Sequence, residues 1–466
     1  MTPASRHDLV ILGAGSGGYA AALRASQLGL DVAIVEAGKL GGTCLHRGCI
    51  PTKAWLHAAE VADHARDGDV MGLKTRYDGV QGEVLVDWAD GVINRLHKGL
   101  TGLVTTSPGI TQVEGWGTLV SDREGLGVRV GDDIIRGRNV LVATGARPKT
   151  LGLTIDGQRI ITSDHALKLA ELPRTALVIG GGVIGVEIAS AWRSLGVDVT
   201  IVEALDRLVP AEEPDISKAL LRAFTKRGIA TQFGVKVAGA TSTATDATLI
   251  LDDGKTLTAD ILLVAVGREP ATHNLGLTEA GVSVDRGLVR VNDRLMTSVR
   301  GVFAVGDVVA GPQLAHRGFA QGMFVAEVVA HQLGRHADNP VLPEDSTLPR
   351  VTYCNPEITS VGLTVAAAQR LGEVKSLDYP LGGNGRSIIK GTTGFVRVVR
   401  LVDGPIVGVH AIGQGVSELA GEAQLAVGWE ALPEDVAEFV HGHPTQGEAF
   451  GEACMALAGR PLHVHA

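Results

Sequence analysis

Short apolar runs closed by glycine set the rhythm of this chain. Leu9-Val10-Ile11-Leu12 runs into Gly13-Ala14-Gly15-Ser16-Gly17-Gly18, an alanine-rich stretch of helical character follows, and Val32-Ala33-Ile34-Val35-Glu36 reads as the next strand. The same order returns at Leu177-Val178-Ile179, which runs into Gly180-Gly181-Gly182-Val183-Ile184-Gly185, then a helix, then Val197 to Val202 and Glu203. Short apolar runs bounded by turn residues are buried strands, and strands alternating with helical stretches give an α/β chain. Val140 to Gly145, and Ile261 to Gly267 with Arg268-Glu269-Pro270 after it, have the same form and are expected to close two nucleotide-binding halves. Gly301 to Asp307 ends a further apolar strand with a carboxylate at its C-terminal edge, where ligands of open α/β sheets bind. Asp307 reads there as a ribityl or ribose acceptor, or as a helix cap.

The two glycine clusters form an internal repeat. In each, an acidic residue, Glu36 or Glu203, lies 23 positions after the first glycine. The first glycine (Gly13, Gly180) allows a tight turn, the second (Gly15, Gly182) lets backbone approach a pyrophosphate, and the third (Gly18, Gly185) lets helix and strand pack closely. The phosphates then sit at the positive end of the helix. Glu36 and Glu203 are expected to accept from ribose hydroxyls, and a carboxylate at the second site repels the extra phosphate of NADP, so NAD is the expected nicotinamide.

From about Pro340 to Pro349 the chain is acidic and proline-containing, which reads as a linker. Beyond it no glycine fingerprint recurs. Alternating strands at Gly394 to Val399 and Ile406 to His410 precede helical stretches at Ser417 to Val427 and Pro433 to Val440, an α+β pattern. The mixed-charge segment Ala59 to Asp69 reads as a solvated helix face and loop.

At 466 residues, against ~100–200 per domain, three or four domains are expected. Apolar content of 45%, and 62 glycines confined to turn motifs, describe a globular chain. A net charge of −9 without a basic block excludes nucleic acid and an anionic membrane surface as natural partners. The most apolar stretch, Ala176 to Val186, is well short of the ~20 residues of a membrane helix. No charged-then-apolar signal segment precedes the strand near Asp8, so a cytoplasmic protein is expected.

Candidate chemistry begins at Gly41-Gly42-Thr43-Cys44-Leu45-His46-Arg47-Gly48-Cys49-Ile50-Pro51-Thr52-Lys53. Positions five apart in a regular helix lie roughly 140° apart around its axis, so Cys44 and Cys49 can bond only through a loop or a distorted first turn. Pro51 suits a helix whose first turn begins near Cys49, and a thiolate at a helix N-terminus has a lowered pKa. Zinc is not expected, because Cys354 and Cys454 stand alone. Inert thiols remain open on these residues. Four cysteines do not make a disulfide framework, so a disulfide here is catalytic in character. A carrier that reacts with a dithiol and a nicotinamide is most simply a flavin, which puts FAD at the first fingerprint and NAD at the second. In the tail, His443 and Glu448 are five apart across a proline turn, as in a base with a fixed tautomer, although spacing alone favours a structural or exposed pair. His441 reads as structural, without a partner.

Taken in order, the Gly13/Gly15/Gly18 fingerprint, the CxxxxC segment, the Gly180 fingerprint, Ala304-Val305-Gly306-Asp307, Leu314-Ala315-His316, Val351-Thr352-Tyr353 with Pro356-Glu357, and the HPTxxE-like tail resemble the pyridine nucleotide-disulfide oxidoreductases over essentially the whole chain. The branch resembled oxidises dihydrolipoyl groups carried on an acyltransferase or a glycine cleavage H-protein within 2-oxoacid dehydrogenase or glycine cleavage complexes, with reduction of NAD. The resemblance implies an FAD-binding domain at 1–148, an NAD-binding domain at 149–272, a segment completing the FAD domain at 273–345 and an interface domain at 346–466 of a homodimer. It makes Cys44 the interchange thiol and Cys49 the sulfur in charge-transfer contact with flavin. His443 becomes the acid/base, oriented by Glu448 and reaching the other subunit's disulfide. Lys53 and Glu187 match a pair near the flavin N5 and nicotinamide. Gly42, Thr43, Gly115, Ala143, Thr144, Gly145, Asp307 and Ala315 match flavin-side positions, and Val237 and Gly267 the NAD side.

The chain departs from that pattern at His46, Thr52 and Gln446-Gly447, where asparagine, serine and leucine-serine are common; none is a reacting group. The tail lacks the second thiol pair of thioredoxin and mercuric reductases, and Glu203 disfavours the NADPH-using glutathione reductases. Rival readings are a reductase of another disulfide or a quinone, and a non-catalytic FAD-containing assembly subunit.

Overall fold

The computed structural model describes residues 6–464. Its contacts divide the chain into two units, and neither unit is continuous in sequence.

The first unit takes in the chain up to Ala54, Val86–Lys149 and Arg268–Asp345. Its sheet runs, in spatial order, through Ile110–Glu114, Val32–Glu36, His7–Leu12 and Asp133–Val142, all parallel, and continues antiparallel into Gly125–Val130 and Gly117–Asp122. Val302–Ala304, more than 150 residues away in sequence, adds parallel to Asp133–Val142, with Phe303 opposite Leu141. Successive side chains of a strand face opposite ways. Leu9, Ile11, Val32, Ile34 and Leu141 accordingly enter one apolar cluster, while Val10, Leu12, Ala33, Val35, Val140 and Val142 enter another. Burial on both faces explains why these strands read as unbroken apolar runs.

Two helices of this unit lie side by side in the same sense. Ser16–Gln27 meets Ala315–Gln332 near Gly17 and Gly322, and again where Arg24 Nε donates to Glu327 at 2.8 Å. A β-carbon built at Gly322 would lie 2.1 Å from the Gly17 carbonyl oxygen, so only glycine permits this approach. The N-termini of both helices therefore point the same way.

The second unit comprises Trp55–Leu85, Thr150–Gly267 and the chain from Ser346. It repeats the parallel plan in a five-stranded sheet ordered Ala230–Phe233, Asp198–Glu203, Thr175–Ile179, Ile261–Val264, Ile160–Thr162. A small antiparallel sheet, Val237–Ser242, Ala247–Leu251 and Thr256–Ala259, accompanies it. The same unit carries a second five-stranded sheet, antiparallel throughout, ordered Arg350–Thr352, Glu357–Gly362, Ile406–Gly413, Phe395–Leu401, Val374–Pro380. Phe450, Ala449, Ala453 and Cys454 of the helix Gly447–Leu457 pack under it with Val396, Val398, Val409 and Tyr379. The architecture is thus α/β with two dinucleotide-binding folds and a C-terminal α+β domain. Among the described residues no helix is long and apolar enough to cross a membrane.

Candidate active site

The segment bearing the first cysteine pair is two helices, not a loop. Gly42–Arg47 holds Cys44 in its first turn, the chain breaks at Gly48 (φ −133°, ψ −110°), and Cys49 opens the helix Cys49–Asp67. The Thr52 hydroxyl donates to the Gly48 carbonyl at 2.7 Å, tying the break to the new helix. This bend brings together sulfurs that a continuous helix would separate. Both cysteines are half-buried and their side chains are in hydrogen-bond contact, the separation from which a disulfide can close. The hydrogen bond with Cys49, then burial and the charge of Cys49, push the Cys44 thiol far up, against the pull of Lys53. Ionisation of Cys44 next to a second sulfur is thus opposed. Lys53, one helical turn after Cys49, turns the same way as that residue.

The dithiol helix rests directly on the first fingerprint. A β-carbon at Gly42 would lie 2.7 Å from the Gly15 Cα, and the Gly41 N–H donates to the Ala14 carbonyl at 2.9 Å. Gly13 turns the chain with φ +100°, and Gly180 does the same with φ +106°. A β-carbon at the third glycine, Gly18 or Gly185, would in either copy lie 1.9 Å from the carbonyl oxygen of the first. Nothing comes nearer than 4.0 Å to a β-carbon at Gly15, and nothing lies within 4 Å of one at Gly182. Both second glycines thus face open space at the start of a helix whose N-cap makes no side-chain hydrogen bond. The helix starting at Ala315 likewise lacks a side-chain cap. Helix N–H groups left free beside a cleft are what a pyrophosphate requires, so the residues fit a dinucleotide at each copy. The buried Nη1 of Arg317, in the first turn of the Ala315 helix, has no partner among the described residues, as expected of a donor facing such a group.

Glu36 and Glu203 carry a further duty that spacing alone did not disclose. Glu36 Oε2 accepts from Ala14 N at 2.6 Å and Oε1 from Gly38 N at 2.8 Å. Glu203 accepts from Gly181 N at 2.6 Å and from Leu205 N at 2.8 Å. Each carboxylate braces its own glycine turn and keeps lone pairs for a ribose.

Around the first copy, Thr144 Oγ1 donates to the Ala271 carbonyl at 2.8 Å, while Ala143 and Gly145 continue the strand Asp133–Val142 past Gly13. Gly115 follows Ile110–Glu114 directly, and Thr43 sits beside Cys44. Asp307 is not a helix cap: it lies inside the 3-10 turn Gly306–Val308, whose N-cap is Val305. Burial raises its carboxyl above the usual range, while the guanidiniums of Arg268 and Arg317 pull it down. In the second unit, Glu187 is 3% exposed and accepts from Tyr353 N at 2.8 Å. Val237 opens the strand Val237–Ser242, and Gly267 faces open space. Tyr19, which follows the first fingerprint and carries no motif of its own, has its phenol pushed up by burial and then by the charges of Cys44 and Cys49.

The tail brings His443 and Glu448 together. His443 Nδ1 lies 2.7 Å from Glu448 Oε1, and Thr445 N donates to Glu448 Oε2 at 2.7 Å. The peptide bond between His443 and Pro444 is cis. The His443 side chain is 77% exposed and Glu448 18%, an open imidazole on a sheltered carboxylate. Burial pushes Glu448 up, but the Thr445 N–H and His443 outweigh it and hold the carboxyl below its usual range. His441 does have a partner, contrary to expectation: its Nε2 is 2.7 Å from Glu422, 19 residues earlier in sequence. The unusual Gln446 serves the fold, donating to the Gln414 carbonyl at 2.6 Å and accepting from Ser387 at 2.9 Å. His46 bonds the Leu40 carbonyl at 2.8 Å. Among the described residues no group of three or more His, Cys, Asp or Glu is arranged to hold a metal.

Residues 7–322 match the family described as pyridine nucleotide-disulphide oxidoreductase, and residues 348–454 match its dimerisation domain. A dihydrolipoyl dehydrogenase from Bacillus subtilis is 38% identical, over 99% of this chain and 100% of the relative. A mitochondrial dihydrolipoyl dehydrogenase from Pisum sativum is 35% identical, over 98% of this chain and 93% of the relative. The crystal structure of LpdA from Mycobacterium tuberculosis superposes with a TM-score of 0.85 at 25% identity, covering 96% of this chain and 99% of that one. A dithiol seated on the first of two dinucleotide cradles, and sequence likeness running from end to end, lead to one conclusion: the chain belongs to the pyridine nucleotide-disulphide oxidoreductase family and is an oxidoreductase that works with FAD and NAD(H).

Proposed function

We propose that this protein is a dihydrolipoyl dehydrogenase, oxidising dihydrolipoyl groups on an acyltransferase or an H-protein and reducing NAD. The observation that carries the reading is the Cys44/Cys49 dithiol packed against the first fingerprint through Gly42 and Gly15. FAD is held by the Gly13 cradle, Glu36, the Ala143–Gly145 turn, Asp307 and the Ala315 helix; NAD is held by the Gly180 cradle, Glu203 and Gly267. The tail base serves the disulfide of the partner subunit, in keeping with the dimerisation domain matched by residues 348–454.

Turnover starts from the Cys44–Cys49 disulfide. Glu448 holds the His443 Nδ1 proton, which leaves Nε2 as the lone-pair nitrogen. Nε2 takes a proton from one substrate thiol, and the resulting thiolate attacks Cys44 Sγ, breaking the disulfide and releasing Cys49 as thiolate. The second substrate thiol closes on the first substrate sulfur, forming cyclic lipoyl and displacing Cys44; the departing Cys44 sulfur takes the proton that His443 holds, and the proton of the second thiol passes to the Nε2 so freed. The step leaves Cys44 as thiol and Cys49 as thiolate. FAD supplies the acceptor for the dithiol's electron pair and its route to NAD as hydride.

Anaerobic addition of dihydrolipoamide to the oxidised holoenzyme is expected to give a long-wavelength charge-transfer band, which NAD then discharges with appearance of NADH. A flavin spectrum that ignores dihydrolipoamide but bleaches with NADH would move the substrate to another disulfide or a quinone. No response to either would leave an assembly subunit.

A further inference from the structure

His441 has no part in the reaction above, yet its surroundings are built for it. The ring lies on the helix Gly447–Leu457: a β-carbon at Gly451 would be 2.4 Å from its Nδ1, and one at Gly447 would be 3.6 Å from its Cδ2. Positions four apart share one helix face. Glycine inside a helix is destabilising relative to alanine, so Gly451 gives up helix stability and leaves a seat that a β-carbon would fill, while Gly447, at the first position of the helix, lies in ordinary contact with the ring. Glu448 follows Gly447 in that same first turn.

The groups facing His441 all favour a cation. Glu422, from the helix Ala420–Gly428, sits 2.7 Å from Nε2, and the Phe439 main chain and Glu448, from the helix below, both favour the charged ring. A carboxylate oxygen only accepts, so the Nε2 that faces Glu422 carries a proton. In agreement, the Glu422 hydrogen bond raises the His441 pKa against the opposing effect of burial. His441 is in turn one of the charges that hold Glu448 down.

We propose that His441 is a positioning residue for the His443 base: as an imidazolium seated on Gly447 and Gly451, it neutralises Glu422 and steadies the helical turn that presents Glu448. Its kinetic consequence rests on the dihydrolipoyl reading, but its effect on His443 does not. The test is therefore made first without substrate, on the holoenzyme, by the pH dependence of diethyl pyrocarbonate modification of His443, followed on the tail peptide by mass spectrometry. H441Q leaves Glu422 unpaired, and the midpoint of His443 modification is expected to rise by roughly 0.5–1 pH unit, the direction a nearby uncompensated negative charge imposes. The acid limb of kcat/KM for dihydrolipoamide should rise with it. The double variant H441Q/E422Q removes both charges, keeps the packing change and should return the midpoint to its starting value. G451A, which expels the ring, should move it as H441Q does. A midpoint unmoved in H441Q, or one still displaced in the double variant, would reduce His441 to a packing residue and overturn the proposal. Wild-type protein inert to dihydrolipoamide would strike the proposed function and leave this test readable.

Discussion

Cys44→Ser is expected to bring dihydrolipoamide-driven NADH formation down to background while the protein keeps its flavin and still oxidises NADH with ferricyanide. The loss is that of a reacting atom: a serine oxygen cannot enter a disulfide, so neither the mixed disulfide nor its resolution is available. Removing a nucleophile from a concerted site costs on the order of 10⁶ in rate in other enzymes. The fold should not suffer, because Cys44 is half-buried in a six-residue helix whose place on the fingerprint is fixed by Gly41 and Gly42. Alkylation gives an independent check. Cys44 and Cys49 are half-buried, whereas Cys354 and Cys454 are 0% exposed and burial pushes both of those thiols up. Iodoacetamide should therefore label the first pair in the native reduced protein and the second pair only after unfolding. Turnover surviving in Cys44→Ser would falsify the assignment of that sulfur.

How much of this could be read from sequence depends on how local the physics is. The glycine repeat was legible because the constraint at Gly18 and Gly185 is a collision 1.9 Å from a carbonyl oxygen only a few residues away, and no other residue solves it. The strands were legible for a similar reason: burial on both faces leaves only apolar residues, as at Leu9 to Leu12. His443 and Glu448 stood out by spacing because a single proline turn joins them, but spacing alone favoured a structural pair and the resemblance supplied the acid/base role. The cysteine segment was half-legible. Spacing demanded a departure from one helix, but loop and broken helix satisfy it equally, and the break at Gly48 depends on main-chain angles that composition does not encode. What lay hidden is non-local. Glu422 reaches His441 across 19 residues and two helices, and Tyr19 feels the charges of the cysteine pair only once the fingerprint helix and the cysteine helix are packed. The second role of Glu36 and Glu203 was masked by the first, since an acid at the end of the second strand is expected for ribose whether or not it also braces the turn.

His443→Gln should lower dihydrolipoamide oxidation by about 10² to 10⁴, the usual contribution of a positioned general base, while NADH–ferricyanide activity is unchanged. The deficit should shrink as pH rises, because a growing fraction of the substrate thiol then supplies its own thiolate. Glu448→Gln should cost less and for a different reason. The Glu448 carboxylate accepts two donors at 2.7 Å, His443 Nδ1–H and Thr445 N–H, and a glutamine has only one oxygen to offer them. Either Thr445 loses its acceptor or the imidazole shifts its proton to Nε2, where it can no longer act as base. The pH profile separates the two residues. Burial raises Glu448, but Thr445 and His443 together hold it below the usual carboxylate range, so it stays ionised through the neutral region and is protonated only as pH falls through that depressed value. Glu448 therefore adds no limb to kcat/KM in the neutral region, and Glu448→Gln should lower the profile there without displacing it. A His443→Gln enzyme that retains full turnover at neutral pH would place the base elsewhere.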